Sequence, residues 1–162
     1  MSWFNRSKVQ DPPADLATSI LYDERTFYNR FTRDLLNSKD EVIIESPFIS
    51  SRRMRELRHI FERLINKGVK VFIITRDPRE HSDGYEKQSE YEIRYFEALG
   101  VQVLLCVGNH HRKLAILDRK VLWEGSLNIL SQTHSREIMR RIDSKKLAED
   151  MFKFLKLEKW IY

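Results

Sequence analysis

The sequence predicts a single α/β domain whose mixed, largely parallel β-sheet is flanked by helices on both faces. Short runs of β-branched and aliphatic residues alternate along the chain with longer amphipathic segments, which is the rhythm of βαβ units. The length of 162 residues allows one domain with a proper hydrophobic core and is too small for two comfortable ones. No internal repeat and no low-complexity tract interrupts the pattern.

The first half of the chain supplies an arm, two helices and a strand. Residues 1–18 are polar and contain "DPP", which predicts an N-terminal arm and a domain over residues 19–162. One amphipathic helix is expected over "TSILYDERTFYNRFTRDLLNS", where Phe27, Phe31 and Leu35 recur at helical spacing. "EVIIES" predicts a short buried strand. "SSRRMRELRHIFERLINKG" predicts a second helix whose apolar face consists of Met54, Leu57, Phe61 and Leu64.

The second half continues the alternation. "VKVFIIT" and "VQVLLCV" predict strands on either side of the helix "YEKQSEYEIRYFEALG". Between the first strand and that helix, residues 76–84 form a polar, turn-rich loop, which could be a lid or have no function. "KLAILD" and "KVLWEG" predict two strands joined at "DRK", "REIMRRI" a further strand, and "DSKKLAEDMFKFLKLEKW" a closing helix.

Composition restricts the class of protein and its partners. The net charge of +5 and the sequence pI of about 9.3 suit a polyanionic partner. The lone cysteine, Cys106, rules out a disulfide within the chain and favours a reducing compartment, which leads us to expect a cytoplasmic protein. "MSWFNRSKVQDPP" does not resemble a secretory signal, and the apolar runs are too short to cross a bilayer, so no membrane partner is expected.

The stretch "NHHRKLAILDRKVLWEGSLN", residues 109–128, carries the functional pattern. If its beginning is a strand, His111 and Lys113 share a face, and a neutral imidazole would lie beside an anion-binding ammonium. Gly125 permits close backbone approach, Ser126 could cap a short helix whose N–H groups favour phosphate oxygens, and Asn128 supplies an amide donor. We therefore expect a nucleophile in a phosphate site. A carbonyl substrate fits less well, because the chain shows neither a triad order nor a nucleophile elbow.

These residues resemble a known family. H-x-K-x4-D is followed, after six intervening residues, by G-S-x-N, and this combination is similar to the signature of the phospholipase D superfamily, the HKD phosphodiesterases. The matching residues are His111, Lys113, Asp118, Gly125, Ser126 and Asn128. The βαβ pattern upstream of the motifs agrees with the fold that this resemblance implies.

The resemblance also implies roles for the residues. His111 would attack phosphorus and form a covalent phosphohistidine. Lys113 and Asn128, supported by the hydroxyl of Ser126, would bind the non-bridging oxygens and stabilise the charge of the transition state. The remaining two roles belong to acidic residues: Asp118 would be mainly structural, and Glu137 is the best candidate for orienting the histidine.

The chain contains a single copy of H-x-K-x4-D. The other histidines, which are His59, His81, His110 and His134, lie outside any such motif, and His110 is interpreted as a turn or rim residue. A double displacement through phosphohistidine needs a nucleophile and a separate acid for the leaving oxygen. The resemblance to the single-motif nucleases of the superfamily therefore implies a homodimer in which two copies of His111 share one active site.

Arginine clusters flank the motif region. Arg52 and Arg53 begin the second helix, and Arg136 and Arg140 follow the G-S-x-N motif. They could bind the phosphates of the substrate or form ordinary solvated faces, and the sequence leaves both interpretations open. No metal and no cofactor is predicted, because the spacing of Cys106 and the histidines matches no standard zinc site.

Together these features predict a metal-independent phosphodiesterase that cleaves nucleic acid, DNA in preference to RNA, with low sequence specificity. Two alternatives stay open. The first is a phospholipase or phosphatidyl-transferring enzyme, and the second is a non-catalytic nucleic-acid-binding module of the same fold. An intact set of H, K, D, S and N argues against the binding module, which has no use for a nucleophile.

Overall fold

The computed structural model describes residues 18–81 and 85–162, without the side chains of residues 85–88. The N-terminal arm predicted over residues 1–18 lies outside the described residues except for Thr18, which begins the first strand. Seven strands and four α-helices follow one another in the described part: β1 (Thr18–Asp23), α1 (Phe27–Asn37), β2 (Glu41–Glu45), α2 (Ser51–Asn66), β3 (Lys70–Arg76), α3 (Tyr85–Leu99), β4 (Gln102–Cys106), β5 (Leu114–Leu117), β6 (Val121–Gly125), β7 (Ile138–Asp143) and α4 (Lys145–Phe154).

All seven strands form one mixed sheet in the order β1-β7-β6-β5-β2-β3-β4. The prediction of an α/β domain with a mixed sheet is confirmed, but the parallel part is smaller than expected. Only β2, β3 and β4 run parallel, whereas the four pairings from β1 to β2 are antiparallel. The short turn between β5 and β6 explains part of this difference, since strands joined by so few residues can pair only in antiparallel fashion.

Helices cover both faces of the sheet, as predicted. On one face, α1, α2 and α3 bury their apolar residues against the sheet, and Met54, Leu57, Phe61 and Leu64 are the buried residues of α2. Helix α4 packs on the other face through Ala148 and Phe152. Trp123 of β6 is fully buried in the first of these cores.

The start of the domain differs from the prediction. "TSILYD" is not part of the first helix but forms β1, which pairs with β7 at the edge of the sheet. The Asp23 carboxylate accepts hydrogen bonds from the backbone N–H groups of Arg25 and Thr26 and from the Thr26 hydroxyl, which turns the chain before α1 begins at Phe27. The predicted first helix therefore begins too early: only the segment from Phe27 onward is helical.

The connection from β4 to β5 positions the motif histidine. β4 lies at one edge of the sheet and β5 pairs with β2, so residues 107–113 must pass the ends of β3 and β2. His111 and Lys113 lie in this crossover segment, immediately before β5, and not in a strand as predicted. Their common side therefore comes from the anchoring of the crossover rather than from strand alternation.

Candidate active site

The motif residues converge in one groove of about 800 Å³ at the end of the sheet where the crossover enters β5. Four chain segments form it: β1, the crossover with the start of β5, the end of β6 with the residues that follow, and the region around the start of β7. The groove is lined by Leu21, His111, Arg112, Lys113, Leu114, Glu124, Gly125, Ser126, Asn128, Glu137, Ile138 and Arg140.

His111 and Lys113 are in direct contact. Nζ of Lys113 lies 2.7 Å from Nδ1 of His111 and donates a hydrogen bond of 2.7 Å to the His111 carbonyl oxygen. A lysine ammonium can only donate, so in this contact Nδ1 has the role of acceptor. Burial lowers the pKa of Lys113, and the nearby Glu137 carboxylate opposes this effect by raising it.

Gly125 is required by the approach of β7 to β6. A Cβ atom built on Gly125 would lie 2.1 Å from the carbonyl oxygen of Ile138 and 2.8 Å from the sulfur of Met139. Real side chains cannot occupy such positions, so only glycine permits this spacing. The closeness lets the Ser126 N–H donate to the Ile138 carbonyl at 2.9 Å, which fixes the residues after β6 against the start of β7.

Ser126 and Glu137 interact with each other. The Ser126 hydroxyl donates to one oxygen of the Glu137 carboxylate, and the Ser135 hydroxyl donates to the other at 2.7 Å. Glu137 makes no hydrogen bond to His111, so the predicted orienting contact is absent from the geometry of these described residues. No helix begins at Ser126, because the residues after it form a turn.

The Asn128 side chain lines the groove, and its amide oxygen has no hydrogen-bond partner in the described part of the chain. Its Oδ1 is buried, and no group in the described part of the chain donates to it. Its backbone carbonyl accepts from the N–H groups of Ser131 and Gln132, which closes the turn and fixes the position of the side chain. Buried polar atoms are nearly always satisfied, so this unpaired amide oxygen, which can only accept, indicates room for a donor such as water or a ligand hydroxyl.

Asp118 lies at the far end of β5 from Lys113, where it contacts the start of β2, and the mainly structural role that the resemblance implies stays a prediction. Its carboxylate accepts hydrogen bonds from three consecutive backbone N–H groups, those of Lys39, Asp40 and Glu41, at 2.8–3.0 Å. It thereby ties the end of β5 to the start of β2.

Replacing Asp118 should therefore affect stability more than chemistry. Asp118→Ala leaves three N–H groups without their acceptor and is expected to lower the free energy of unfolding by about 1–3 kcal/mol. Urea denaturation of both proteins measures the loss. Asp118→Asn, which keeps one acceptor oxygen and tolerates the positive φ of 50° at this position, should lose less. A stable Asp118→Ala protein with an unchanged midpoint would contradict this role.

Of the four arginines predicted to bind substrate, Arg140 alone lines the groove. Arg53 is mostly buried, lies over the ring of Tyr28 and donates to the carbonyl of Gln132, so it braces the fold. Arg52 pairs with Glu56 on the exposed side of α2, and Arg136 is exposed near the rim. Arg52 and Arg53 thus make contacts within the fold and do not line the groove, and a role in binding substrate stays a prediction.

Arg112 is a groove residue that the sequence interpretation missed. Its guanidinium forms two hydrogen bonds to the carboxylate of Glu45, and His110 lies against the same carboxylate. His110 is not a rim residue, because its side chain is only 6% exposed. Burial lowers the pKa of His110 and favours the neutral imidazole. Arg112 lies between His111 and Lys113 in the H-x-K motif, and this position could have predicted that it lies at the groove.

The loop predicted over residues 76–84 has a structural use in its described part. The Glu80 carboxylate accepts from the backbone N–H groups of Gly108 and Asn109, and Arg76 donates to the Asn109 side chain. Residues 76–81 therefore hold the crossover, and residues 82–84 lie outside the described part of the chain.

Two further properties concern residues 18–81 and 85–162 only. Within these ranges, no three His, Cys, Asp or Glu side chains are grouped so that they could bind a metal ion. None of the helices there combines the length and apolar character needed to cross a membrane.

Solved structures share this fold. NucT from Helicobacter pylori is 18% identical, with a TM-score of 0.68 over 85% of this chain and 92% of NucT. Nuc from Salmonella typhimurium, a phospholipase D family member, is 18% identical, with a TM-score of 0.67 over 85% of this chain and 91% of Nuc. Phosphatidylserine synthase from Haemophilus influenzae is 16% identical, with a TM-score of 0.69, and the match covers 89% of this chain and 39% of the synthase.

At these identities the likeness shows the fold alone. A comparison with curated protein sequences gives no match. The family described as "Cardiolipin synthase, PLD-like domain" matches residues 31–157, which is well over half of the chain. The protein therefore belongs to this phospholipase D-like family.

Proposed function

We propose that the protein is a metal-independent phosphodiesterase that cleaves nucleic acid, DNA in preference to RNA, through a covalent phosphohistidine on His111. The carrying observation is the contact of an exposed imidazole with the Lys113 ammonium, in one groove with the Asn128 amide and the Arg140 guanidinium. Cationic and amide donors around a nucleophile suit a phosphodiester, because they stabilise charge that develops on its non-bridging oxygens.

The reaction proceeds in two displacements. An imidazole nitrogen of His111 forms a bond to phosphorus while the bond to the leaving oxygen breaks, and that oxygen takes a proton from a general acid. Water then attacks phosphorus, the P–N bond breaks, and the former acid takes the proton of the water. An arriving phosphodiester offers Lys113 an anionic acceptor in place of Nδ1 of His111, which frees the imidazole for attack.

The general acid comes from a second copy of the chain. His111 is the one histidine of the described residues that lines the groove, whereas the reaction needs two groups. Leu21 and Ile138 at the groove are 58% and 63% exposed, and such apolar side chains beside a site suit a two-fold interface. Across that interface, His111 of the partner subunit serves as the acid in the first step and as the base in the second.

A charge placed on this surface should separate the subunits. Leu21→Glu is expected to shift the protein from dimer to monomer at micromolar concentration and to lower activity in parallel, because two buried carboxylates would face each other across the two-fold axis. Sedimentation equilibrium measures the mass. The matched control is Phe154→Glu, which makes the same change of charge at an 81% exposed side chain that does not line the groove. A wild-type monomer with full activity would contradict the shared site.

Charge favours nucleic acid as the substrate. The chain carries a net charge of +5, and Arg112 and Arg140 extend the cationic surface of the groove beyond Lys113. Low sequence specificity fits contacts of this kind, since phosphate contacts carry no base information. A cytoplasmic location stays a prediction that rests on the lone cysteine.

The test is hydrolysis in excess EDTA, with labelled single-stranded DNA, double-stranded DNA, RNA and phosphatidylcholine liposomes as parallel substrates. Cleavage of DNA that survives EDTA supports the proposal, and loss of cleavage in EDTA contradicts it. Hydrolysis of the liposomes alone would favour the lipid alternative. Binding of DNA without cleavage of any substrate would favour the non-catalytic module.

A further inference from the structure

The crossover that carries His111 is irregular, yet side chains hold it at two points. Near its start, the Glu80 carboxylate accepts from the N–H groups of Gly108 at 2.7 Å and Asn109 at 3.2 Å. The Arg76 guanidinium adds a hydrogen bond of 2.7 Å to the Asn109 side chain. These contacts fix the first residues of the segment, but they end two residues before His111.

The second point is the carboxylate of Glu45, the last residue of β2. Glu45 is fully buried, and both of its oxygens bind the guanidinium of Arg112, with Nε at 2.7 Å and Nη2 at 3.2 Å. Nε2 of His110 lies 3.5 Å from the same carboxylate. A bidentate pair fixes the orientation of a guanidinium as well as its distance, which a single contact does not.

The contacts divide the four residues of the motif segment between two sides. The side chains of His110 and Arg112 contact Glu45, whereas those of His111 and Lys113 contact each other in the groove, which Arg112 also lines. We propose that Glu45 is a positioning residue: by holding Arg112, it fixes the backbone on either side of His111 and presents His111 and Lys113 to the phosphodiester. This inference rests on the proposed function for its catalytic consequence and on the contacts of Glu45 for its structural part.

The effect should be large because residues 107–113 lie outside any helix or strand, so side-chain contacts hold their position. The Glu45 carboxylate is fully buried and cannot reach solvent by rotating. The Arg112 side chain is 49% exposed and would rotate into solvent without its partner. A displacement of the nucleophile by about 1 Å can reduce turnover by roughly 10²-fold. Glu45 does not itself line the groove, so the loss would arise through Arg112 and the crossover.

The strand offers a matched control at its other end. Glu41, the first residue of β2, is also buried, and its carboxylate accepts from Nε of Arg119 at 2.6 Å. Glu41→Gln and Glu45→Gln therefore remove the same charge from equivalent ion pairs on one strand. Only the second pair adjoins the crossover.

Glu45→Gln is expected to lower kcat by roughly 10²-fold, with a smaller change in KM, and to speed amide hydrogen exchange in residues 107–113. Glu41→Gln should change neither by more than roughly threefold. Equal losses in both variants would overturn the inference, since the effect would then be general destabilisation. Unchanged exchange and unchanged kcat in Glu45→Gln would overturn it as well.

A double variant tests the route through Arg112. On an Arg112→Gln background, Glu45→Gln should cost little further activity, because the contact is already lost. A full additional loss of roughly 10²-fold would overturn the inference. If Glu45→Gln fails to fold, Arg112→Lys removes the bidentate contact at a half-exposed side chain and should give the same faster exchange. If the wild-type protein cleaves no phosphodiester, the proposed function fails, and hydrogen exchange still decides the positioning role.

Discussion

His111→Ala is expected to lower kcat for phosphodiester hydrolysis by roughly 10⁴-fold or more, because it removes the nucleophile that the proposed mechanism requires. The fold should be unaffected, since the His111 side chain is exposed and its hydrogen-bond partner Lys113 belongs to the same groove. Single-turnover kinetics in EDTA, with purified wild-type and variant proteins, measures the loss. Acid-labile phosphate on the wild-type protein alone would identify the intermediate.

The control for this variant is His59→Ala, which removes an exposed histidine from α2, away from the groove. It should retain the activity of the wild-type protein. A contaminating nuclease would cleave equally in all three preparations. Residual activity of His111→Ala within tenfold of the wild type would contradict the nucleophile assignment and with it the phosphohistidine mechanism.

Gly125→Ala is expected to lower the free energy of unfolding by about 3 kcal/mol or more, at the upper end of what overpacking costs. The added methyl group would meet the backbone of Ile138 at 2.1 Å, and backbone atoms in a paired strand cannot move aside as a flexible side chain can. β6 and β7 would have to separate. That movement breaks the hydrogen bond between Ser126 and Ile138 and removes Asn128 from its position, so activity should fall with stability.

Gly68→Ala separates this steric effect from the loss of glycine's backbone freedom. Gly68 has a φ of +83°, and a Cβ built there meets nothing within 4 Å, so its replacement costs only the unfavourable conformation, about 1–2 kcal/mol. Urea denaturation of the two variants measures both losses. A smaller loss for Gly125→Ala than for Gly68→Ala would show that the strands can separate cheaply and would contradict the expectation.

Local patterns in the sequence predicted most of the helices and strands, but not which strands pair with each other in the sheet. The buried face of α2, the strands β2, β3 and β4, and the glycine that ends α2 follow from periodicity and turn chemistry, which are properties of adjacent residues. The β1 strand was missed because its side chains are mostly exposed and its pairing partner, β7, lies more than a hundred residues away. Alternation within a short segment contains no information about such a partner.

The sequence predicted which motif residues form the site, but only some of the contacts between them. Motif spacing identified His111, Lys113 and Asn128, which meet in the groove, and the family resemblance pointed to Glu137, which also lines it. It did not indicate that two serines would occupy the Glu137 carboxylate, or that a buried acid on β2 would hold Arg112. Both contacts join segments that are distant in sequence, and they depend on the order of strands in the sheet.

The length of β5 gives the spacing of the H-x-K-x4-D motif a physical meaning. The four intervening residues are the strand itself, Leu114–Leu117, and they separate Lys113 from Asp118 by roughly 17 Å, at the usual rise of a strand. Asp118 is thus too far away to act on phosphorus. The number of residues between Lys113 and Asp118 instead keeps a constant distance between the groove and the contacts of Asp118 with the start of β2. A single-residue insertion or deletion in this strand would force a choice between keeping the Asp118 anchor and keeping Lys113 in the groove, and it would turn the buried side chains to the wrong face. Variation in length should therefore be tolerated in the residues before the crossover and after the G-S-x-N turn, and not between the lysine and the aspartate.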